Sequence, residues 1–510
     1  MIAAALGQLT QQGQQPLQLP HVDWVTIAPE GIFFVGGLLM LIAGVFLRRR
    51  VPRGVWSATT VAIALVALWP TFHLWHQVGH GGARTAIADA IVIDGFSIFI
   101  YVVIISAVVM AALLADAYLR REGLDGAEYY VLMLFSASGG MLMASANDLI
   151  VVFLGLEVLS IALYTLAGFQ QRRAASQEAA IKYFVLGAFS SAFFLYGIAL
   201  VYGSTGSTNL GVIAEFLRVN SLTNGLLLAG FALLIVGLGF KVAAVPFHMW
   251  TPDVYEGSPT PATAFMAAAA KAAGFAALLR IFVSTFDLYR LDWQPIIWAL
   301  AALSLVVGSV LAVVQTDVKR MLAYSSIAHA GYVLVGLETA TARGVAGSLF
   351  YLFAYAFMVI GSFAIVTLVS GRGDEDHSLE SFRGLSARRP VLALVFTVLL
   401  LAQTGVPLTS GFLAKFYVIS AAVEGGDYAL AILAMVAAVI AAFFYLRLIV
   451  VMYMAAPTEE GEEVPAAAPA IPIPVGAGLA LAIAAGFTLV VGFLPEAVIT
   501  FARHATLLRL

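Results

Sequence analysis

The stretch that decides the fold spans residues 226–282, LLLAGFALLIVGLGFKVAAVPFHMWTPDVYEGSPTPATAFMAAAAKAAGFAALLRIF. It is long enough for about two membrane crossings, is interrupted at Pro246, and carries Lys241, His248 and Lys271. A lysine at the centre of such a helix costs roughly 2.5–3.5 kcal/mol on the insertion scale, and such residues usually serve a function. The working hypothesis is that these lysines bind and release protons.

The composition of the whole chain is that of a polytopic membrane protein. Of its 510 residues, 62% are hydrophobic and only 11% are charged, which is too little polar surface for a soluble globule of this size. There are no cysteines, so thiolate-ligated iron–sulfur clusters, zinc–thiolate sites and disulfides are excluded. No Walker A motif or dinucleotide fingerprint is present. We therefore expect no cofactor or metal on this chain, and any redox chemistry on a partner.

Apolar runs bounded by charges, proline or glycine predict an all-α fold with about 14 transmembrane helices. Arginine is concentrated in the connections after helices 1, 3, 5, 9 and 11, and Lys319 is assigned to one of these loops. The positive-inside rule then places both termini on the outer side, as an even number of helices requires. The predicted segments lie near 29–47, 54–75, 91–115, 128–146, 148–169, 178–203, 225–250, 260–286, 294–315, 318–337, 345–370, 391–421, 427–455 and 472–502.

Three other features of the loops and the N-terminus are interpreted as solvated or neutral. His73, His76 and His80 have a metal-like spacing, but no carboxylate flanks them closely, so a solvated outer loop is expected. The acidic run at 458–463 is expected to be a solvated linker. The Gln-rich N-terminal stretch follows an apolar start without a basic region, so direct insertion is expected rather than a cleaved signal peptide.

Most of the few lysines fall within apolar segments, whereas arginines occupy the loops. Lysine loses its proton readily on burial and arginine does not, so a proton-transferring site would use lysine. Glu157 lies about 13 Å along its helix from Asp148, near the middle of the hydrocarbon core. His248 and His329, near predicted helix ends, are supporting candidates. The residues predicted to carry protons are Glu157, Lys182, Lys241, Lys271 and Lys415.

Two prolines predict interrupted helices beside these lysines. Pro246 breaks helix 7 and Pro407 breaks helix 12, and carbonyls freed at membrane depth are tolerated only where protein or water satisfies them. Because the breaks are five helices apart, we expect two inverted five-helix repeats, helices 4–8 and 9–13. The corresponding division of the chain is 1–127, 128–286, 294–455 and 472–510.

Long motifs in this chain resemble the antiporter-like subunits of respiratory complex I over roughly residues 30–500. The segment from Lys241 through PFHMWTPDVYEG is similar to the broken seventh helix of that family, Leu156-Glu157-Val158 to its fifth-helix glutamate segment, and residues 319–332, KRMLAYSSIAHAGY, to its KRxLAYSSIxHxGY stretch. M-type members carry glutamate in the twelfth helix, whereas N-type and L-type members carry lysine, as at Lys415. The lack of room for a long lateral helix favours the N-type.

The resemblance implies that Glu157 and Lys241 form a coupled pair, that Lys271 relays protons in the membrane plane, and that Lys415 exchanges them near the outlet. It also implies a bacterial cell membrane location, other membrane-arm subunits as partners, NADH and quinone bound by those partners, and no nucleic acid. Two other functions remain open. The chain could belong to a multisubunit cation/proton antiporter, or serve as a structural spacer whose charges only fix helix packing.

Overall fold

The computed structural model describes residues 22–47, 51–52, 54–220, 225–454 and 473–505. The Gln-rich N-terminal stretch and the acidic run at 458–463 lie outside the described residues. Within them the chain folds into helices and one short hairpin, β1 (Arg84–Ala86) paired with β2 (Ile91–Ile93). The helices are α1 (Ala28–Leu47), α2 (Val55–Gly81), α3 (Gly95–Glu122), α4 (Glu128–Ser145), α5 (Leu149–Ala167), α6 (Ala174–Thr205), α7 (Leu210–Val219), α8 (Gly225–Val242), α9 (Trp250–Gly257), α10 (Thr260–Thr285), α11 (Arg290–Val313), α12 (Val318–Glu338), α13 (Ala342–Val369), α14 (Leu385–Arg388), α15 (Pro390–Thr404), α16 (Ser410–Glu424), α17 (Tyr428–Tyr453), α18 (Val475–Phe493) and α19 (Glu496–His504).

The all-α membrane fold predicted from the sequence is confirmed. Among the described residues, 11 helices are long and apolar enough to cross a membrane, and each of the fourteen predicted segments coincides with a helix or a pair of helices. The predicted breaks in helices 7 and 12 are also confirmed, between α8 and α9 and between α15 and α16.

We call the end of the helix bundle at which α3 and α13 end the basic face, because Arg120, Arg121 and Arg372 lie there.

The predicted boundaries on both sides of the connection between the second and third helices were wrong. The third predicted helix starts later, at Gly95, because residues 91–93 pair in the hairpin and the Asp94 carboxylate accepts a hydrogen bond from the Ser97 amide at 2.8 Å. His73, His76 and His80 belong to α2 and not to a loop, since that helix continues to Gly81. All three histidines are exposed on it.

The helices at the centre of the bundle are α10 and α13. In their most apolar stretches 94% and 89% of the residues are buried inside the protein, against 22% in α1. A helix that is apolar all round belongs in such a core. A charged side chain on α10 therefore faces other helices of this chain and not lipid.

A repeated backbone contact relates the two halves of the chain. Asp148 forms an isolated antiparallel bridge with Asn209, and Asp317 forms one with Ser378. The two pairs have the same separation in the chain, and each first member caps the helix that follows it, α5 or α12. One pair lies at the N-terminus of α5 and the other at that of α12, which occupy the same position in the two predicted five-helix repeats. The opposite orientation of these repeats stays a prediction.

Lys319 is not a loop residue, which corrects the assignment from sequence. It is the second residue of α12 and fully buried, and its Nζ donates to the Ser258 carbonyl at 2.8 Å. Its charge is compensated by Asp374, 3.4 Å away in the connection after α13. The same carboxylate accepts hydrogen bonds from the Thr260 amide and hydroxyl, at 3.1 and 2.7 Å, and from Ser370 at 3.0 Å. Asp374 thus ties together the ends of α10, α12 and α13.

Replacing Asp374 by asparagine is expected to destabilise the protein by about 3–5 kcal/mol, because it leaves the buried Lys319 without its counter-charge. Burial opposes ionisation of Asp374, but Lys319 and the hydrogen bonds from His377 and Thr260 outweigh it and hold its pKa well below the usual range. This stabilisation is present above about pH 4 and is lost as the pH falls below that value. Thermal unfolding of the detergent-solubilised protein from about pH 2 to 7 measures the effect.

The matched control for this variant is Glu375→Gln, which neutralises the exposed neighbouring carboxylate. It should unfold at the wild-type temperature throughout. Equal stability of Asp374→Asn and Glu375→Gln would show that the Asp374 contacts do not hold the three helices together.

Candidate functional site

Lys241 lies at the end of α8, directly before the break, and is 5% exposed. Its Nζ donates to the Ser160 hydroxyl on α5 at 2.9 Å and to the Tyr183 hydroxyl on α6 at 3.3 Å. The ammonium also lies 5.5 Å from the centre of the Tyr183 ring. Neutral oxygens and a π face therefore surround this cation, an arrangement that holds a proton without fixing it in an ion pair.

Glu157 lies one turn before Ser160 on α5, on the side of the helix that faces Lys241. Its Oε1 is buried and has no hydrogen-bond partner among the described residues. Among the described residues, no carboxylate lies within ion-pairing distance of Lys241. The coupled pair implied by the resemblance is thus not in hydrogen-bond contact in this conformation, and Lys241 donates to Ser160 and Tyr183 instead.

Lys271 lies in the middle of α10 among alanines, directly after a π-helical turn at Met266–Ala270. It is 3% exposed, and its Nζ donates to the Ser326 carbonyl at 2.6 Å and also to the Ser326 hydroxyl. The Tyr355 ring centre is 5.7 Å away. No carboxylate within the described ranges forms an ion pair with it, so the protein interior strongly opposes its charge.

Lys415 lies on α16 just beyond the second break and is 6% exposed. Its Nζ reaches back to donate to the Thr404 carbonyl, the last residue of α15, at 2.8 Å. It also lies 4.8 Å from the centre of the Tyr332 ring. The break at Pro407 therefore frees a carbonyl that a buried lysine satisfies.

One face of α12 connects Lys271 to Lys415. Ser326, His329 and Tyr332 follow one another at three-residue spacing, which places them on the same side of the helix. His329 lies in the middle of α12, not near a helix end as predicted, and is buried. Its Nδ1 is 2.7 Å from the Tyr351 hydroxyl and its Nε2 3.2 Å from the Tyr445 hydroxyl. Both ring nitrogens are thus engaged between the two lysines.

Gly274 brings Lys241 and Lys271 to neighbouring positions. It lies one turn after Lys271 on α10, and a Cβ built on it would meet the Val242 side chain at 2.9 Å and the Lys241 Cγ at 3.3 Å. The absence of a side chain lets α8 approach α10 closely.

Replacing Gly274 by valine is expected to displace Lys241 and to lower the transport activity of the protein by roughly tenfold. The control is Gly486→Val on α18, where an added Cβ would meet no atom within 4 Å. Transport in membrane vesicles, normalised to the amount of inserted protein, measures the difference. Equal transport by the two variants would contradict the close contact.

Lys182 is not part of this buried line. Its side chain is 40% exposed near the basic face, where Nζ pairs with Glu178 and Asp253, both at 2.6 Å. Asp253 belongs to the short helix α9 and also pairs with Arg320 at 2.7 Å. Ion pairs on both sides of Asp253 explain why this segment is ordered against the bundle.

His248 and Pro246 lie within the break between α8 and α9, and neither contacts a buried lysine. His248 is half-buried, and its Nδ1 has no partner among the described residues. Pro246 is exposed. The supporting roles predicted for these two residues, as for Pro407, stay predictions.

Several groups in the site were missed by reasoning from the sequence, namely Ser160, Tyr183, Tyr332, Tyr351 and Tyr445. A signal existed for two of them. Tyr183 and Tyr351 occupy the same position counted from the starts of α6 and α13, which correspond to each other in the two predicted repeats. Tyrosines at corresponding depths in two repeats could therefore have been identified as one functional position.

The chain is similar to known proteins over nearly its whole length. Residues 146–441 match the model of the NADH:quinone oxidoreductase/Mrp antiporter transmembrane family. The NADH-quinone oxidoreductase subunit N of Trichlorobacter lovleyi is 42% identical, with 94% of this chain and 96% of that protein aligned. The subunit N of Acidothermus cellulolyticus is 43% identical, with 95% and 96% aligned.

Two solved structures contain chains with the same fold. A chain of respiratory complex I from Thermus thermophilus with bound aureothin is 35% identical and superimposes with a TM-score of 0.76, covering 93% of this chain and 99% of that one. A chain of the Mrp complex from Dietzia sp. has a TM-score of 0.80 at 22% identity, over 94% and 96% of the chains, and so shares the fold. The chain belongs to the NADH-quinone oxidoreductase subunit N family.

Proposed function

We propose that this chain translocates protons as a membrane-arm subunit of a bacterial NADH-quinone oxidoreductase, through a line of buried lysines. The observation that carries the proposal is that Lys241, Lys271 and Lys415 are buried, that no carboxylate among the described residues pairs with them, and that hydroxyls and carbonyls bind them. A fixed ion pair would hold each proton in place, whereas these contacts leave the charge of each lysine sensitive to its neighbours.

The first step is the coupling of Glu157 to Lys241. An opposite charge within about 4–6 Å favours the protonated lysine, and burial opposes it. Movement of the Glu157 carboxylate toward Ser160 would therefore hold a proton on Lys241. Its withdrawal would leave only Ser160 and Tyr183 as partners, as in this structure, and favours transfer of the proton toward Lys271.

The second step passes the proton from Lys271 to Lys415 along α12. The Ser326 hydroxyl accepts from Lys271, and His329 can accept at one ring nitrogen while it donates from the other. Tyr351 and Tyr445 hold the imidazole between the two lysines. Lys182 is proposed as the entry point for protons from the basic face, since the next residue, Tyr183, contacts Lys241. Release of its proton would require its ion pairs with Glu178 and Asp253 to open.

The distribution of charges supports one orientation of the chain in the membrane. We propose that the basic face lies inside and both termini outside, because arginine is concentrated in the connections of that face. Quinone and NADH are assigned to partner subunits, and this chain is proposed to carry no cofactor of its own. The electron-transfer reaction would act on it through neighbouring membrane-arm subunits.

Purification of the chain from native membranes under mild detergent tests this function. The expected result is co-purification with iron–sulfur subunits and with NADH-quinone reductase activity. A second candidate is favoured by the fold shared with the Mrp complex chain, namely cation/proton exchange without NADH. Sodium-driven proton exchange by the chain in the absence of iron–sulfur subunits would support that candidate and overturn the first.

A further inference from the structure

A second buried polar cluster lies at the face opposite to the basic face, where α1, α3, α4 and α10 meet. Its carboxylate is Glu30, near the start of α1, which is 8% exposed. Glu30 Oε1 accepts hydrogen bonds from the Tyr101 hydroxyl and from the Ser145 hydroxyl, the latter at 3.1 Å. Glu30 Oε2 is also buried, and no group in the described part of the chain donates to it. One oxygen of a buried carboxyl is therefore available to hold a proton.

The rest of the cluster is an ion pair. Arg280 donates to both carboxylate oxygens of Asp94, at 3.0 and 2.9 Å, and each of the two side chains is 1% exposed. The Arg280 Nε also donates to the Ala144 carbonyl at 3.0 Å. Because Ala144 and Ser145 are consecutive at the end of α4, the ion pair and Glu30 are bound to the same turn of backbone.

The charges of this cluster single out Glu30. Arg280 and Asp94 compensate each other, so the cluster is neutral when Glu30 carries a proton and has one excess negative charge when it does not. The Tyr101 hydroxyl on α3 and the Ser145 hydroxyl on α4 donate to Glu30. The titratable groups His73 and His76 on α2 are exposed, and Glu128 lies at the opposite end of α4 from Ser145. A buried carboxylate without a contacting cation readily takes up a proton.

The cluster also lies on the path from Lys271 to the opposite face. Arg280 follows Lys271 on α10, about 13 Å further along the helix axis. Lys271 follows one π-helical segment and Arg280 begins another, Arg280–Thr285. π-Helical turns inside α-helices are frequent at functional sites. Trp24 and Val25, which precede Glu30 in the chain by six and five residues, are exposed, so Glu30 lies close in sequence to the protein surface.

We propose that Glu30 is a proton-relay group that takes protons from the Lys271 side and releases them at the face opposite to the basic face. The step conserves charge and protons: the Lys271 ammonium loses one proton and becomes an amine, and the Glu30 carboxylate gains it and becomes neutral. Release of that proton to water at the surface restores the carboxylate. This inference rests on the proposed proton-translocating function and adds an outlet in the first repeat.

The test compares Glu30→Gln, Glu30→Asp and the control Glu128→Gln in the complete complex, by NADH-driven acidification of inverted membrane vesicles. Glu30→Gln cannot exchange a proton and is expected to slow acidification by roughly tenfold at wild-type complex content. Glu30→Asp should recover at least half of the wild-type rate, and Glu128→Gln all of it. If Glu30 had only a packing role, Glu30→Asp would not recover a rate that Glu30→Gln loses.

Wild-type acidification by Glu30→Gln would overturn the proposal. If that variant fails to assemble, Tyr101→Phe removes one donor and leaves the carboxyl in place. A slowed rate at normal complex content then supports the relay, and a wild-type rate, or loss of assembly in both variants, overturns it. Lys271→Met measured in parallel separates the two hypotheses, because loss of transport there with a normal Glu30→Gln rate refutes the outlet alone.

Discussion

Replacing Lys241 by alanine is expected to reduce NADH-driven proton transport to less than about one-tenth of the wild-type rate. Among the described residues, Lys241 is the cation that donates to Ser160 and Tyr183, and its loss removes the group proposed to carry the proton. Both hydroxyl groups remain and can bind water, so assembly of the complex should be preserved. Acidification of inverted vesicles, divided by complex content, measures the effect.

Lys241→Arg separates the effect of the positive charge from that of the exchangeable proton. Arginine keeps the positive charge but does not release its proton in proteins, so the variant should be as inactive as Lys241→Ala. If Lys241 only supplied a charge for helix packing, arginine would restore transport. Arg218→Ala, at an exposed position on α7, is the control and should pump at the wild-type rate.

Replacing Lys271 by methionine is expected to abolish transport and at the same time to stabilise the folded protein by a few kcal/mol. Lys271 is buried with only Ser326 as a hydrogen-bond partner, and no carboxylate in the described part of the chain pairs with it. Methionine fills a similar volume without an ammonium to desolvate. Thermal unfolding and vesicle acidification are measured on the same preparation.

Lys271→Met is expected to lower transport and to raise stability, and this combination distinguishes a role in proton transfer from a role in packing. A lysine that served packing would lower the stability when removed, whereas a lysine kept for proton transfer lowers the stability while present. The matched comparison is Lys319→Met, which removes the partner of the buried Asp374 and should destabilise the protein. Destabilisation by Lys271→Met to the same extent as Lys319→Met would contradict the role assigned to Lys271.

The sequence was sufficient for features that depend on local pattern. Hydrophobic length predicted the membrane segments, Pro246 and Pro407 predicted the two breaks, and isolated lysines in apolar segments predicted Lys241, Lys271 and Lys415 as buried cations. Each of these follows from neighbouring residues alone, because burying a charge or removing a backbone donor has consequences wherever it occurs.

Features that depend on distant partners were not predictable in the same way. Lys319 looked like a loop residue because its counter-charge, Asp374, comes from the connection after another helix. His329 is held by Tyr351 and Tyr445 from two different helices, so its central position could not be inferred from its own segment. The contact of Lys241 with Ser160 in place of Glu157 depends on the conformation of the site.

The most direct test of the account is a high-resolution structure of the assembled complex in which water molecules are resolved. Buried oxygens that lack a partner among the described residues, at Glu157 Oε1, Tyr355 and Ser410, mark where water should bind. The account predicts ordered water joining Glu157, Lys241, Lys271, His329 and Lys415 into one connected path. Dry apolar packing between Lys271 and Lys415 in every resolved state would contradict it.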